Sequence, residues 1–262
     1  MTERVTLITG ASAGIGAEMA RVFAANKHRL VLVARRADRL TALSAEIAAA
    51  GGPAPIVIPC DLEQPDACAK IEEALHGAGV EVEYLVNNAG FGMFGFAVDM
   101  DRDAQLRMID LNVRTLTDLS LRLAPQVIRH KGGILNVSSI AGLIPGPGMA
   151  VYYASKAYVL SFTEALRQEL GPKGVRVTAL CPGPVPSEFQ ARAGFKPGLD
   201  SMILGVSPKD VASLAYKSLM GNKGTVFPGI GIKIVSMMLK LFPRSLIAGA
   251  VARLQLTRVG QV

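Results

Sequence analysis

Residues 5–16 read VTLITGASAGIG. Val5 to Thr9 form a short run rich in β-branched side chains, apolar without strict alternation, as expected of a strand covered on both faces. Glycines at 10, 14 and 16 follow at once, and GIGAEMARVFAAN then continues with helical spacing. Glycine lets the backbone turn sharply and approach a ligand without a Cβ clash. The start of the helix presents unbonded N–H groups and the positive end of its dipole, which suit a pyrophosphate. A glycine-rich loop also makes ordinary turns. Its position between the first strand and the first helix gives it weight here.

The same alternation runs outward along the chain. RLVLVA (29–34), PIVIP (55–59), EYLVN (83–87), GILNVS (133–138) and VRVTALC (175–181) read as buried strands, and TVFPG (225–229) as a final edge strand. Helical patterns lie near 14–26, 37–50, 65–78, 101–130 and 152–171. This spacing predicts βαβ units with right-handed crossovers, and so an α/β, doubly wound, three-layer Rossmann-type fold. No composition shift precedes about residue 220, so the reading is one dinucleotide-binding catalytic domain over 1–228 and a basic amphipathic helical tail over 229–262.

The second strand ends at Ala34 and is followed by Arg35 and Arg36. In such folds an acid at this strand end binds the ribose 2′-hydroxyl, whereas a cation accommodates a 2′-phosphate. Two arginines and no acid favour NADP over NAD, with Arg35 as the main contact and Arg36 assisting. The plain alternative is a solvated pair of arginines at a helix start.

GILNVSSIAG puts Ser138 and Ser139 at the end of the fifth strand, where open α/β sheets carry their chemistry. Thirteen residues beyond Ser139 comes Tyr152, in YYASK. Tyr152 and Lys156 share a helix face at a spacing of four, whereas Tyr153 has Ala157 at that offset. A phenol has an ordinary pKa near 10. A neighbouring ammonium and a cationic nicotinamide are expected to lower it towards the working range. A serine hydroxyl can hold a carbonyl oxygen beside it, so the set suits hydride transfer to or from a carbonyl.

With these residues in view, the chain resembles the short-chain dehydrogenase/reductase family over roughly residues 4–228. TGASAGIG (9–16) resembles that family's TGxxxGxG, and NNAG (87–90) its sheet-supporting, cofactor-lining turn. The resemblance implies that Asp61 of CDL (60–62) lies by the adenine and that Asn112 of LNV holds a water in a proton relay to the catalytic lysine. It puts Ser139, Tyr152 and Lys156 on the catalytic positions, and CPGPVPSEF (181–189) against the nicotinamide. The cofactor positions so implied are Gly10, Ser12, Gly14, Ile15, Gly16, Arg35, Arg36, Asp61, Leu62, Asn88, Ala89, Gly90, Tyr152, Lys156, Pro182, Gly183, Val185 and Ser187. The family further implies a mainly parallel seven-stranded sheet, hydride transfer from the B face, and homodimers or homotetramers built on long helices. Two residues depart from its pattern. Ala13 stands where many NADP-preferring members carry a basic residue, and Ser187 where threonine is common.

Composition trims the alternatives. Of 262 residues half are hydrophobic and 19% charged, which excludes a disordered or fibrous chain. There is no Trp and aromatics are 5%, so a stacking platform for single-stranded nucleic acid is not expected. Cys60, Cys68 and Cys181 are odd in number and form no CxxC, and His28, His76 and His130 show no metal spacing. No metal and a reducing, cytoplasmic setting are expected. FGMFGF (91–96), PGPGM (145–149) and residues 184–204 should border the cleft, with Phe91, Met93, Phe94, Met149, Phe189, Phe195 and Met202 favouring a lipophilic carbonyl or alcohol. An acyl-chain (3-oxoacyl) reductase held at a membrane or an acyl carrier, and a non-catalytic dinucleotide sensor, are the alternatives.

The last acidic residue is Asp210, and seven cations follow it, so residues 1–210 balance at 21 against 21. In GIKIVSMMLKLF (231–242), Lys233, Ser236 and Lys240 fall at spacings of three and four, which predicts a wide apolar face beside a narrow cationic one. Pro243 should end this helix and open a second short one. The expectation is a substrate-proximal helical tail with at most peripheral membrane contact.

Overall fold

The computed structural model describes residues 2–186, 188–189, 193, 205–239, 241 and 243–259. Seven parallel strands run β1 (Glu3–Thr9), β2 (Leu30–Ala34), β3 (Ile56–Pro59), β4 (Val80–Asn87), β5 (Gly133–Val137), β6 (Arg176–Leu180) and β7 (Thr225–Val226). They lie in the order β3-β2-β1-β4-β5-β6-β7. The chain runs outward from β1 to β3 and crosses back to β4. The topological switch, and the crevice it opens at the strands' carboxyl ends, therefore falls between β1 and β4.

Helices α1 (Gly14–Ala25), α2 (Ala37–Ala49) and α7 (Pro208–Met220) cover one face of the sheet. Helices α3 (Ala67–Gly77), α5 (Leu116–Arg129) and α6 (Ala150–Leu170) cover the other. Strand residues alternate between the two cores: Leu30, Leu32 and Ala34 meet Phe23 and Leu40 on one side, while Val31 and Val33 meet Ile71 and Leu75 on the other. Both faces are apolar, which is why the strands read as unbroken hydrophobic runs.

The structure divides the helix expected over 101–130. Helix α4 (Arg102–Ile109) gives way to a π-helical turn at Asp110–Thr115 before α5 begins. Such a turn accommodates an extra residue and re-aims its side chains, and here it carries Asn112. Helix α7 is not among the helices expected from sequence, although Val211, Ala212, Ala215 and Leu219 fall at helical spacing and SPKD adds a local start signal. The Ser207 hydroxyl caps it by accepting from Asp210 N–H at 3.1 Å, with Pro208 in the first turn.

The tail forms α8 (Ile230–Leu239) and α9 (Arg244–Val259), with Pro243 between them as expected. The second helix is the longer of the two, not a short one. Ser236, expected beside Lys233, instead turns inward with Ile232, and Lys233 stands in the exposed stripe. Among the described residues no helix is long and apolar enough to cross a membrane.

Candidate active site

A cleft of about 470 Å³ opens at the carboxyl ends of the strands. Its floor begins at the glycine loop. Gly10 and Gly14 have φ of +65° and +55°, which glycine adopts without strain. At Gly16 it is space that matters: a Cβ there would lie 2.3 Å from the Gly10 carbonyl oxygen and 2.5 Å from Asn88 Nδ2. Helix α1 starts after Ala13, whose extended backbone offers no side-chain cap. Its first N–H groups are thus left without a side-chain partner at the edge of the cleft.

Thr9 locks the loop to the NNAG turn. Its hydroxyl accepts from the backbone N–H of both Asn88 and Ala89 at 3.0 Å and donates to the Val86 carbonyl at 3.3 Å. Asn88 Nδ2 donates back to the Thr9 carbonyl at 2.9 Å. Asn87 points the other way, into the core, donating to Ser120 Oγ and Asn136 Oδ1, so β4, β5 and α5 are tied beneath the turn.

At one end of the cleft stand Arg35, Arg36 and Asp61. Arg35 donates to Glu63 at 3.0 Å, its side chain 56% exposed. Arg36 is more committed: it donates to Ser12 Oγ from Nη2 at 3.1 Å and to Glu188 at 2.8 Å. Arg39 also pairs with Glu188, and the two guanidinium hydrogen bonds hold that carboxyl down at about 2. The Asp61 carboxylate accepts from the Glu63 N–H at 3.2 Å, bracing the turn it sits on.

At the other end Tyr152 and Lys156 project from α6. Burial pushes the Tyr152 phenol up to about 12, against the opposing pull of a hydrogen bond with Ser139. The lowered phenol expected from sequence is therefore not what the protein alone produces: desolvation outweighs the neighbouring groups and keeps the hydroxyl protonated. Burial likewise brings Lys156 down to about 8. Its Nζ donates to the Val137 carbonyl at 2.8 Å, which aims it along the strand end. Ser138, beside Ser139, donates to the Lys156 carbonyl at 2.7 Å and so braces that turn of the helix. Ser139 Oγ accepts from Ala141 N–H at 3.1 Å and contacts the Pro182 carbonyl at 3.3 Å, so its hydroxyl is fixed at the mouth of β5.

Asn112 lies behind this wall, fully buried on the π turn. Its Nδ2 donates to the Phe91 carbonyl at 2.9 Å and to Ser155 Oγ at 3.1 Å, and its Oδ1 accepts from Phe91 N–H at 3.1 Å. A Cβ on Gly90 would come within 2.9 Å of Asn112 Oδ1 and 3.4 Å of Lys156 Nζ, so these three groups converge.

The remaining expected residues sort as follows. Gly10, Ser12, Gly14, Ile15, Leu62, Asn88, Ala89, Gly90, Pro182, Gly183 and Val185 line the cleft, while Gly16 and Asn112 support it from behind. Ser187, Phe195 and Met202 lie outside the described residues. Phe91, Met149 and Phe189 border the cleft, but Met93 and Phe94 do not. Tyr152 and Phe189 meet at 5.6 Å between ring centroids. Lining residues not singled out from sequence include Glu63, Leu111, Ile140, Tyr153, Glu188 and Ile232. Glu63 lies two residues beyond Asp61 and Glu188 directly follows Ser187, signals that were available. Nothing local marks Ile232.

These residues fit a nicotinamide dinucleotide: a loop with no room for side chains, an uncapped helix start, cations at one end and a buried Tyr–Lys pair at the other. Comparison with known proteins agrees. The family model for short chain dehydrogenases matches residues 4–196. A sulfoacetaldehyde reductase from Chromohalobacter salexigens is 42% identical over 193 residues, spanning 72% of this chain and 75% of its own. A short-chain dehydrogenase from Sphingobium yanoikuyae, solved with NADPH, superposes with a TM-score of 0.81 at 32% identity, over 94% of this chain and 95% of that one. A 3-ketoacyl-(acyl-carrier-protein) reductase from Brucella melitensis, solved with NADH, gives 0.77 at 29% identity over 87% and 97%. Fold, motif spacing and likeness over most of the chain agree that this protein belongs to the short-chain dehydrogenase/reductase family of oxidoreductases.

Proposed function

We propose that the protein is an NADPH-dependent reductase of a lipophilic ketone, running as a secondary-alcohol dehydrogenase in reverse. The observation that carries this reading is the buried Tyr152–Lys156 pair facing an apolar cleft whose far end holds two arginines. The bound dinucleotide supplies the hydride. Tyr152, kept protonated by burial, donates its proton to the carbonyl oxygen as negative charge develops there. Ser139 donates a hydrogen bond to the same oxygen. The Lys156 ammonium stabilises the phenolate left behind, and Asn112 holds the Phe91 backbone and α6 in register for proton return. A non-catalytic sensor has no use for this assembly of proton-handling groups.

Arg35 and Arg36 favour a 2′-phosphate, with Arg35, the less committed guanidinium, as the main contact. Asp61, Leu62 and the 88–90 turn hold the adenosine side, while Pro182, Gly183 and Val185 flank the nicotinamide. Phe91, Met149, Phe189 and Ile232 supply the apolar wall that suits a lipophilic substrate. We further assign residues 1–228 as one catalytic domain and 229–262 as its tail. Homo-oligomerisation through α5 and α6 is favoured by exposed Leu121 and by Tyr158 stacked on Phe162. The free thiols at Cys60, Cys68 and Cys181 accord with a reducing cytoplasmic setting.

The test is cofactor oxidation against a panel of acyl thioesters, steroids and small aromatic ketones, with NADPH and NADH in parallel. Turnover of an apolar ketone with NADPH preferred is the expected result. Turnover of acyl thioesters alone would favour the 3-oxoacyl reading, and no turnover across the panel would favour the sensor.

A further inference from the structure

Helix α8 presents an inverted surface. Ile230, Ile234, Met237, Met238 and, just past its end, Leu241 recur at the spacing of one helical face. They are between 51% (Met238) and 82% (Ile230) exposed. The opposite side, Ile232 and Ser236, is buried. A helix on a globular surface puts its polar residues outward; here a serine is inside and the described outer face, Lys233 apart, is apolar. The charge within the stripe is Lys233, also exposed. Ile232 lines the cleft, and α8 packs on the turn Ile140–Leu143 that directly follows Ser139. The exposed stripe is thus backed by the wall of the active-site cleft.

What covers such a stripe is constrained by charge. After Asp210 the sequence holds seven cations and no acid. Two copies meeting here would bring like charges together, with no acid from either tail to pair them. An anionic lipid surface complements both properties: apolar side chains enter the boundary between headgroups and acyl chains, and lysine meets lipid phosphate. We infer that the outer face of α8 docks on an anionic bilayer surface, with Ile230, Ile234, Met237, Met238 and Leu241 at the headgroup–acyl boundary and Lys233 on the phosphates. Helix α8 lies in the interface plane and does not span it. Delivery of a lipophilic substrate from the bilayer to the cleft beneath rests on the proposed function; the docking itself does not.

The experiment is sedimentation of the full-length protein, without cofactor or substrate, with phosphatidylglycerol or phosphatidylcholine vesicles at low and high salt. Binding to phosphatidylglycerol that weakens with salt is expected, with little binding to phosphatidylcholine. Lys233→Gln should weaken binding about fivefold, the equivalent of ~1 kcal/mol per cation at the surface. Met237→Glu should weaken it at least about tenfold, since it removes an exposed apolar side chain that would enter the bilayer boundary and adds a charge of the lipid's own sign. Both variants should keep wild-type turnover of a water-soluble ketone and an unchanged melting temperature. Failure to bind phosphatidylglycerol at low salt, or binding untouched by Met237→Glu, overturns the proposal. So does a wild-type dimer, seen by light scattering, that Met237→Glu converts to monomer, because the occupant is then a second copy. A protein that binds vesicles yet reduces no ketone leaves the docking standing and removes the proposed substrate class.

Discussion

Lys156 Nζ stands 5.9 Å from the centroid of the Tyr152 ring, one helical turn away on α6, and is held there by the Val137 carbonyl. Both side chains are buried, and burial drives their titrations in opposite directions, the phenol up to about 12 and the ammonium down to about 8. The pair is thus set as a proton donor beside a cation that the fold carries at a cost.

That cost has a sign. Lysine in the unfolded chain titrates near 10.5, above its folded value of about 8. Between these two the unfolded state holds the proton and the folded state does not, so stability rises with pH across this window. At neutral pH the buried ammonium is destabilising by at most about 3 kcal/mol. Lys156→Met should therefore raise the melting temperature at pH 7 while abolishing turnover. A variant less stable than wild type at that pH would show that Lys156 holds the fold together instead.

The same titration predicts the rate profile. Tyr152 remains protonated throughout the accessible range, so it imposes no upper limit on ketone reduction. Lys156 does: as pH rises through about 8, the ammonium that stabilises the departing phenolate is lost. Reduction should decline with an apparent pKa near 8, and a rate still flat at pH 10 would separate Lys156 from the chemistry.

In the proposed function, cofactor choice turns on Arg35. A charge-assisted hydrogen bond to a 2′-phosphate is worth ~1.5–3 kcal/mol, or about tenfold to a hundredfold in affinity. Arg35→Asp should erase or reverse the preference for NADPH, read as the ratio of kcat/KM for the two cofactors. A ratio unchanged by the substitution would move the phosphate contact elsewhere.

Thr9 gives a test of the scaffold. Thr9→Val keeps the shape but leaves the N–H groups of Asn88 and Ala89 without their acceptor. A fully buried orphaned donor costs about 1–3 kcal/mol, and these half-buried ones cost towards the lower end. The melting temperature should fall by several degrees, at roughly 2–4 °C per kcal/mol for a chain of this size. NADPH affinity should fall with it, because the Thr9 hydroxyl is one of the anchors between the glycine loop and the 88–90 turn, beside Asn88 Nδ2 on the Thr9 carbonyl. An unchanged melting temperature would mean water replaces the hydroxyl.

Much of this architecture was legible because its signals are local. VTLIT running into three glycines and a helix start specifies strand, turn and anion-facing helix within twelve residues, and six further apolar runs repeat the unit. Tyr152 and Lys156 are neighbours by helix geometry alone. What was not legible depends on contacts distant in sequence or on departures from the helical period. Periodicity cannot show that 110–115 forms a π turn, and that turn is what aims Asn112 at Phe91 and Ser155. Glu188 meets Arg36 across 152 residues of chain, and Ile232 reaches the cleft from the tail. Ser236 is polar yet buried, and its hydroxyl is satisfied within its own helix by the Lys233 carbonyl at 2.8 Å, so its polarity gave the wrong side of α8. The phenol's upward shift in the protein alone comes from burial, which sequence does not reveal and which outweighs the Ser139 hydrogen bond; the lowering expected from sequence includes a cationic nicotinamide.

The most direct measurement is turnover by Tyr152→Phe with NADPH and the best apolar ketone, alongside an NADPH titration of the same variant. The substitution keeps the ring and its packing on Phe189 and removes only the proton donor. The account predicts kcat lowered by at least about a hundredfold, with NADPH affinity close to wild type. A kcat near wild type would contradict it, because the proton would then come from another group.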